Sequence, residues 1–528
     1  MAAGPLLRIV SINDVYALDN LPRIATLVAR ERAGADALLV ILAGDFVAPS
    51  LLSSLDHGRG MIECLNAVGV THVVLGNHED DIPFDELQQR IHELRAPCLA
   101  ANVEGAFGPP LPPSEIVTVA GAGTTVRVGL VGVVIDEANA YRRPPFGGAK
   151  LSSPNVALLA EASRLVRDEG CRCVIAITHQ TIAGDRALAC EVTRATPPLP
   201  IPVIVGGHEH VVIREAVDGI EIVKTGADAF RAAVIDVVVG VEAPQASVRM
   251  VTAADYPEEA GVRALVDSHL APVKQLESIP LLVLAPGQEL SSVGTRRMQT
   301  TLGTFLCSQL RDALGAQGAL FNGGGIRASR VHTGALTYGA LRAEVPFDNA
   351  IVVVRLPGRV IREAIRDSRS RAPQEFGGFL QVDDRMEVDE HDELLAIDGK
   401  PLDLDAEYRI ATVHTLFGGL DRIQPFIDFA ARHPELIPHA DAGRETKLIL
   451  LECLALARWR SLGAFSSLDL DHDGRVTRSE IAAAFVREGT ASDVADAAAQ
   501  ILLDTIDADR DGAILETDGA MTPTKGSP

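Results

Sequence analysis

Five apolar stretches of this sequence each run directly into side chains of the kind that bind cations. LRIVSIN leads to Asp14, LLVILAG to Asp45, HVVLG to Asn77 and His78, CVIAIT to His179, and PVIVGG to His208, Glu209 and His210. A Gly-Asp after one strand is ordinarily a turn, and a lone histidine is ordinarily a packed side chain. Five such ends together describe a site where carboxylates, an amide and imidazoles converge, at the carboxyl ends of strands where open α/β sheets place their ligands. Mixed oxygen and imidazole donors suit borderline cations such as Zn, Mn, Fe or Co better than Mg alone. Such cations generate hydroxide at neutral pH and polarise a bound oxygen, which is hydrolytic chemistry.

The stretches that must position these donors are apolar on both faces, as central strands covered by helices on each side are. Between them, LPRIATLVARERAG and DELQQRIHELRA carry helical spacing of Leu, Ile and Ala. The alternation predicts an α/β layered domain over residues 1–253. A polar helix between prolines at 254–280 reads as a linker, a second mixed α/β stretch fills 281–440, and helix formers punctuated by acidic loops occupy 444–528. With 528 residues, 47% hydrophobic and 23% charged, the chain has ample material for large cores and is not a disordered one. A net charge of −23 argues against a nucleic-acid polymer as partner. No long uncharged apolar run predicts a membrane span. Seven cysteines, odd in number and scattered, do not make a disulfide framework. The start MAAGPLLRIVSIND lacks a cationic segment followed by a long apolar one, so the expected location is cytoplasmic, or extracytoplasmic if the N-terminus has been trimmed.

A second donor set lies at 469–480. Asp469, Asp471, Asp473, Arg475, Thr477 and Glu480 stand at the first, third, fifth, seventh, ninth and twelfth places of a loop, with Gly474 sixth and Val476 eighth. That is the pattern of a calcium-binding EF-hand loop, in which the seventh residue offers its carbonyl and the sixth needs glycine for the turn. The flanking ETKLILLECLALARWRSLGAFSSL and RSEIAAAFVRE are helical by periodicity. A second loop has Asp507, Asp509, Asp511 and Asp518, but Leu515 stands ninth and a short Asp replaces Glu at the twelfth place. The second loop is expected to pair with the first and to bind calcium more weakly.

The ordered set Asn-Asp-x-Tyr, Gly-Asp, Gly-Asn-His-Glu, Thr-His and Gly-Gly-His-Glu-His resembles the calcineurin-like dinuclear metallophosphoesterases. With NGGGIR and PFDN further on, residues 6–435 are similar to the 5′-nucleotidase family. The resemblance implies a four-layer α/β/β/α metallophosphatase domain, an α/β substrate-binding domain and, with the loops above, a small all-α EF-hand domain. It implies two transition-metal ions, divalent or mixed-valence, one held by Asp45, Asn77, His179 and His208. The other would take Asp14, Asp45 as a bridge, His210 and the residue two after Asp14. The family has histidine there and this chain has Tyr16. Tyr16 is then a phenolate ligand favouring ferric iron, a gap that leaves one site weaker and open to water, or a wall of the pocket. His78 matches the catalytic histidine, and Asp81 its orienting aspartate, with Glu79 and Asp80 as neighbouring alternatives.

In the second domain the resemblance assigns nucleotide contacts to Asn322 and Arg327 of FNGGGIRAS, to Arg296 (or its neighbour Arg297) and to Gly377 of EFGGFLQV. Base stacking falls to Phe347 and, by spacing, to His414, with Phe417 as a substitute. Leu420 stands where the family carries aspartate. The function expected from all of this is hydrolysis of nucleoside 5′-phosphates by metal-bound hydroxide, with calcium and a small-molecule substrate as partners. Hydrolysis of non-nucleotide or cyclic phosphoesters, and a calcium sensor with an impaired hydrolase domain, are the alternatives that Tyr16, His414 and Leu420 keep open.

Overall fold

A computed structural model describes residues 4–516 apart from positions 122, 142, 241, 242, 278, 348, 491 and 508–511. The chain divides into two compact units, Met1–Leu270 and Ala271–Pro528. Among the described residues no helix is long and apolar enough to cross a membrane.

The first unit contains two six-stranded sheets. Its strands are β1 (Leu6–Ile12), β2 (Ala37–Ala43), β3 (His72–Val74), β4 (Cys98–Leu99), β5 (Ser114–Gly121), β6 (Thr124–Val134), β7 (Cys173–His179), β8 (Val203–Gly207), β9 (Val212–Val217), β10 (Ile220–Thr225), β11 (Arg231–Val238) and β12 (Gln245–Thr252). One sheet has the order β12-β11-β1-β2-β3-β4 and the other β9-β10-β8-β7-β6-β5. Within them β1–β4 run parallel, as do β6, β7, β8 and β10, and antiparallel strands close the edges at β11–β12, β5 and β9.

Side chains alternate across each strand, which sorts the apolar residues into layers. Leu7, Ile9, Leu39 and Ile41 from one sheet share a buried cluster with Leu130, Ile175, Ile177, Val203 and Val205 from the other, so the sheets pack face to face. On the outer face of the first, Val10, Ile12 and Val40 meet Leu21, Ile24, Leu27, Met61 and Leu65 of the helices Leu21–Glu31 and Arg59–Val68. On the outer face of the second, Val131, Val133 and Val174 meet Leu158, Leu165, Leu188 and Val192 of the helices Pro154–Glu169 and Ile182–Arg194. The result is helix, sheet, sheet, helix. Burial on both faces explains why the central strands read as unbroken apolar runs.

The second unit is built on a mixed five-stranded sheet of β13 (Gly318–Asn322), β14 (Ala350–Pro357), β15 (Leu380–Val382), β16 (Glu407–Val413) and β17 (Arg444–Glu445), in the order β15-β13-β16-β14-β17. The helix Thr446–Ser461 leaves this sheet and leads to the loop 469–480 and the helices Arg478–Arg487 and Ser492–Ile506. Val476 and Thr477 pair antiparallel with Ile514 and Ala513, joining the two acidic loops through a two-residue ribbon.

Candidate metal centre and substrate-binding residues

At the carboxyl ends of β1, β2, β3, β7 and β8 the backbone turns sharply. Asp14, Asp45 and His208 have φ of 53°, 55° and 86°, in the left-handed region where non-glycine residues are uncommon. Outliers of this kind cluster at functional sites, where the surrounding structure holds them in place. The glycines before Asp45, Asn77 and His208 are packed tight. A Cβ on Gly76 would lie 2.1 Å from Asp45 Oδ1, and one on Gly207 would lie 2.1 Å from the Ala43 carbonyl. The Gly-Asp, Gly-Asn and Gly-His pairs of the sequence are therefore close approaches of strand ends to one another.

These turns aim Asp14, Asp45, Asn77, His179, His208 and His210 into one neighbourhood. Asp14, Asp45 and His210 offer ligand atoms within 4.8 Å of one another. Asp45 is the hub. Its Oδ2 lies 3.2 Å from His179 Nε2 and accepts from the Tyr16 hydroxyl at 2.9 Å, while Oδ1 accepts the His78 amide at 2.9 Å. Asn77 Oδ1 is 3.3 Å from His208 Nδ1, and Asp14 Oδ2 accepts the His208 amide at 3.0 Å. The Tyr16 hydroxyl lies 3.0 Å from His210 Nε2 and 3.5 Å from Asp14 Oδ1, so the phenol stands among the donors.

A cation fits this donor set. His179 Nε2 is buried with no hydrogen-bond partner, while its Nδ1 is held 2.8 Å from the Ala43 carbonyl. A ring fixed at one nitrogen and bare at the other is the arrangement of a metal-ligating histidine. The electrostatics agree. Burial alone would push the His179 imidazole down, but the negative charge of the Asp45 carboxylate reverses this and lifts it to about 10. Burial likewise works against ionised Asp45, yet His179 and His78 hold its carboxyl far below the usual range. The pocket thus draws positive charge to the place where a bridging carboxylate would hold cations.

Of the three acidic residues after His78, each has its own task. His78 Nδ1 lies 2.7 Å from Asp81 Oδ2, with both side chains under 10% exposed. Glu79 is turned inward, its carboxylate accepting the backbone amides of Asp45, Phe46, Val47 and Gly76. Burial, then the charge of Asp45, pushes Glu79 up to about 7. Asp80 accepts the Phe146 amide at 2.8 Å and pairs with Arg143. Behind the site, Asn13 bonds Asp14 and Gly226, and Asp228 accepts the amides of Tyr16 and Ala17. Asn13 stands in the Asn-Asp-x-Tyr motif, whereas no local pattern in the sequence marks Asp228, which acts across more than 200 residues.

In the second unit Asn322 ends β13 and donates to Asp421 Oδ2 at 2.6 Å. Gly324 donates to the Gly377 carbonyl at 2.6 Å, and a Cβ on Gly377 would meet Asp421 Oδ1 at 2.8 Å. The Arg296 carbonyl accepts from Phe376, beside the same loop, while Arg297 is exposed. Asp421, with φ of 60°, supplies the carboxylate expected one residue earlier, and Leu420 is 43% exposed. Arg327 stands 5.7 Å from the ring centroid of Phe347, which is 47% exposed. His414 follows β16, with its imidazole lowered by burial and by His439. Phe417 is buried against Phe426 at 5.0 Å, so as a substitute stacking ring it is corrected: its apolar face is already used in the core. Glu344, fully buried, accepts from Ser292 and Ala328 and lies 2.7 Å from His332 Nε2, latching the segment that follows Arg327. In the loop 469–480, Asp469, Asp471 and Glu480 bring carboxylate oxygens within 4.8 Å of one another. Asp473 and Thr477 lie in the same turn, whose seventh residue is Arg475. Of the second loop Asp507 is described, accepting the Gly512 amide at 3.0 Å, whereas Asp509, Asp511 and Asp518 lie outside the described residues.

The class that this fold and donor set define is a metallophosphoesterase. Residues 7–212 match the family described as calcineurin-like phosphoesterase, and residues 280–428 match the 5′-nucleotidase C-terminal domain. The two matches make, in chain order, a calcineurin-like phosphoesterase domain followed by a 5′-nucleotidase C-terminal domain. A 5′-nucleotidase of Vibrio cholerae is 26% identical over 446 residues, 73% of this chain and 78% of that protein. Endonuclease YhcR of Bacillus subtilis is 24% identical over 453 residues, 76% of this chain but 36% of that protein, so this chain spans about a third of its length. The NAD nucleotidase of Haemophilus influenzae has the same fold, with a TM-score of 0.66 and 16% identity over 85% of this chain and 96% of that one.

Proposed function

We propose that this protein is a metal-dependent phosphoester hydrolase that releases phosphate from nucleoside 5′-phosphates. The observation that carries the reading is the convergence of Asp14, Asp45, Asn77, His179, His208 and His210 on one pocket, with Asp45 between the two halves of the donor set. Asp45, Asn77, His179 and His208 would hold one cation, and Asp14, Asp45 and His210, with Tyr16 at or beside it, the other. When bound, a cation pair generates hydroxide at neutral pH and neutralises phosphoryl charge. The chain's own groups supply the rest. His78, held at Nδ1 by Asp81, would hand a proton through its other ring nitrogen to the leaving oxygen. In the second unit, the asparagine–aspartate pair Asn322–Asp421 offers polar contacts to a ribose, and Arg327 over Phe347 offers an anion contact beside an exposed aromatic face.

The loop Asp469–Glu480 would bind calcium, supported by its complete residue pattern and by the three carboxylates gathered there. The test of the main reading is phosphate release by metal-reconstituted protein from nucleoside monophosphates, cyclic nucleotides and sugar phosphates. Higher kcat/KM for nucleoside 5′-phosphates supports it, and a preference for the other classes overturns the substrate assignment.

A further inference from the structure

Lys224 is a lysine with no exposed surface, carried on β10, next to the strand that leads to His208 and two strands from the one that ends in His179. Its ammonium donates to the Gln180 carbonyl at 2.6 Å and the Gly207 carbonyl at 2.7 Å. It lies 2.8 Å from Asp185 Oδ2 and pairs closely with Glu209 Oε2. Asp185, also fully buried, accepts from Thr178 at 2.7 Å and from the Gln180 side chain at 3.0 Å. Glu209 turns its other oxygen to the Ile182 amide at 2.5 Å. A Cβ on Gly206 would sit 2.9 Å from Lys224 Cε, which leaves the ammonium little room to move.

The contacts fall on the chain neighbours of the imidazoles. Thr178 and Gln180 flank His179, and Gly207 and Glu209 flank His208. A buried ammonium is costly unless paired and fully hydrogen-bonded, and here two carboxylates and two carbonyls surround it. We propose that Lys224, paired with Glu209 and Asp185, is a positioning residue that clamps the end of β7 to the end of β8 and so sets the affinity with which His179 and His208 hold a cation. The inference rests on the metal-site reading above. Groups that orient metal-ligating side chains from behind commonly change metal affinity by about 10–100-fold when removed.

The experiment is an electron paramagnetic resonance titration of the metal-free full chain with Mn2+, with calcium in excess to fill the acidic loops. It is run on the wild type, Lys224→Met and Glu209→Gln, each checked to have the wild-type far-ultraviolet spectrum without metal. Met keeps the aliphatic stem and removes the ammonium, and Glu209→Gln leaves Lys224 its Asp185 partner if the first variant does not fold. In the wild type the exchange-coupled signal of a Mn2+ pair develops. In the folded variant it needs about 10–100-fold more Mn2+, and turnover recovers when Mn2+ is raised to match. Superimposable titrations for wild type and variant overturn the role of Lys224. Failure of the wild type itself to show a coupled pair overturns the metal-site reading instead.

Discussion

Asp81→Asn isolates the work of the carboxylate behind His78. The pair is short, 2.7 Å, and its side chains are 8% and 9% exposed, so solvent does little to screen it. A hydrogen bond to a charged group in such a setting contributes about 1.5–3 kcal/mol. If that bond strengthens as His78 carries its proton to the leaving oxygen, its loss appears in the barrier. At about 1.36 kcal/mol per decade, kcat falls roughly 10- to 150-fold. Asp81 acts through His78, which is not among the proposed cation ligands, so KM and metal content should stay within about twofold of wild type. Steady-state phosphate release over a substrate range, with metals quantified on the same samples, makes the measurement. A kcat within about threefold of wild type, or a loss that tracks missing metal, refutes the assignment of His78 and Asp81 as an acid and its orienting partner.

Tyr16→Phe in protein reconstituted with ferric iron should abolish a visible tyrosinate absorption; a wild type that is colourless with ferric iron bound would show that Tyr16 only walls the pocket. Phe347→Ala removes a half-exposed stacking surface and should raise KM for nucleoside monophosphates roughly 10- to 100-fold, since base stacking contributes about 1–3 kcal/mol. The same variant should leave ribose 5-phosphate kinetics unchanged, and equal losses on both substrates would contradict a stacking role. His72 gives a pH signature away from the site. Burial lowers its imidazole below 6.5 although Glu115 opposes this, so the unfolded chain takes up a proton that the fold resists. Stability should be full above about pH 6.5 and fall as pH drops, by up to about 1.4 kcal/mol per pH unit for this one group. Urea unfolding of His72→Gln at several pH values should show a shallower decline, and an unchanged slope would contradict the shift.

Much of the first unit was legible because its signals are local. An apolar run covered on both faces, ending in Gly and then a donor, states a strand, a tight turn and a ligand within about ten residues. Asp45, Asn77 and His208 were readable in this way as donors at strand ends, and His179, after Thr178, by its place at the end of an apolar run. What supports them was not. Asp228 and Lys224 are single polar residues whose partners are fixed only by sheet order, and Lys224 in VKTG reads as an ordinary strand-end lysine. Glu79 illustrates a finer difficulty: as one of three successive acids it looked interchangeable with Asp80 and Asp81, and only the fold separates their tasks. In the second unit the loss of the expected aspartate at Leu420 suggested a weakened site. A left-handed turn instead presents Asp421 to Asn322, a placement that register alone does not reveal. Phe417 looked available by composition and is consumed by packing.

Two cations are proposed to sit on either side of Asp45. Crystals of the reconstituted protein, measured above and below the absorption edge of the added metal, test it directly. Two anomalous peaks about 3.5–4 Å apart are expected, one contacting His179 and His208 and the other Asp14 and His210, with Asp45 touching both. No peak there, or one peak away from Asp45 in protein shown to be fully loaded, would contradict it.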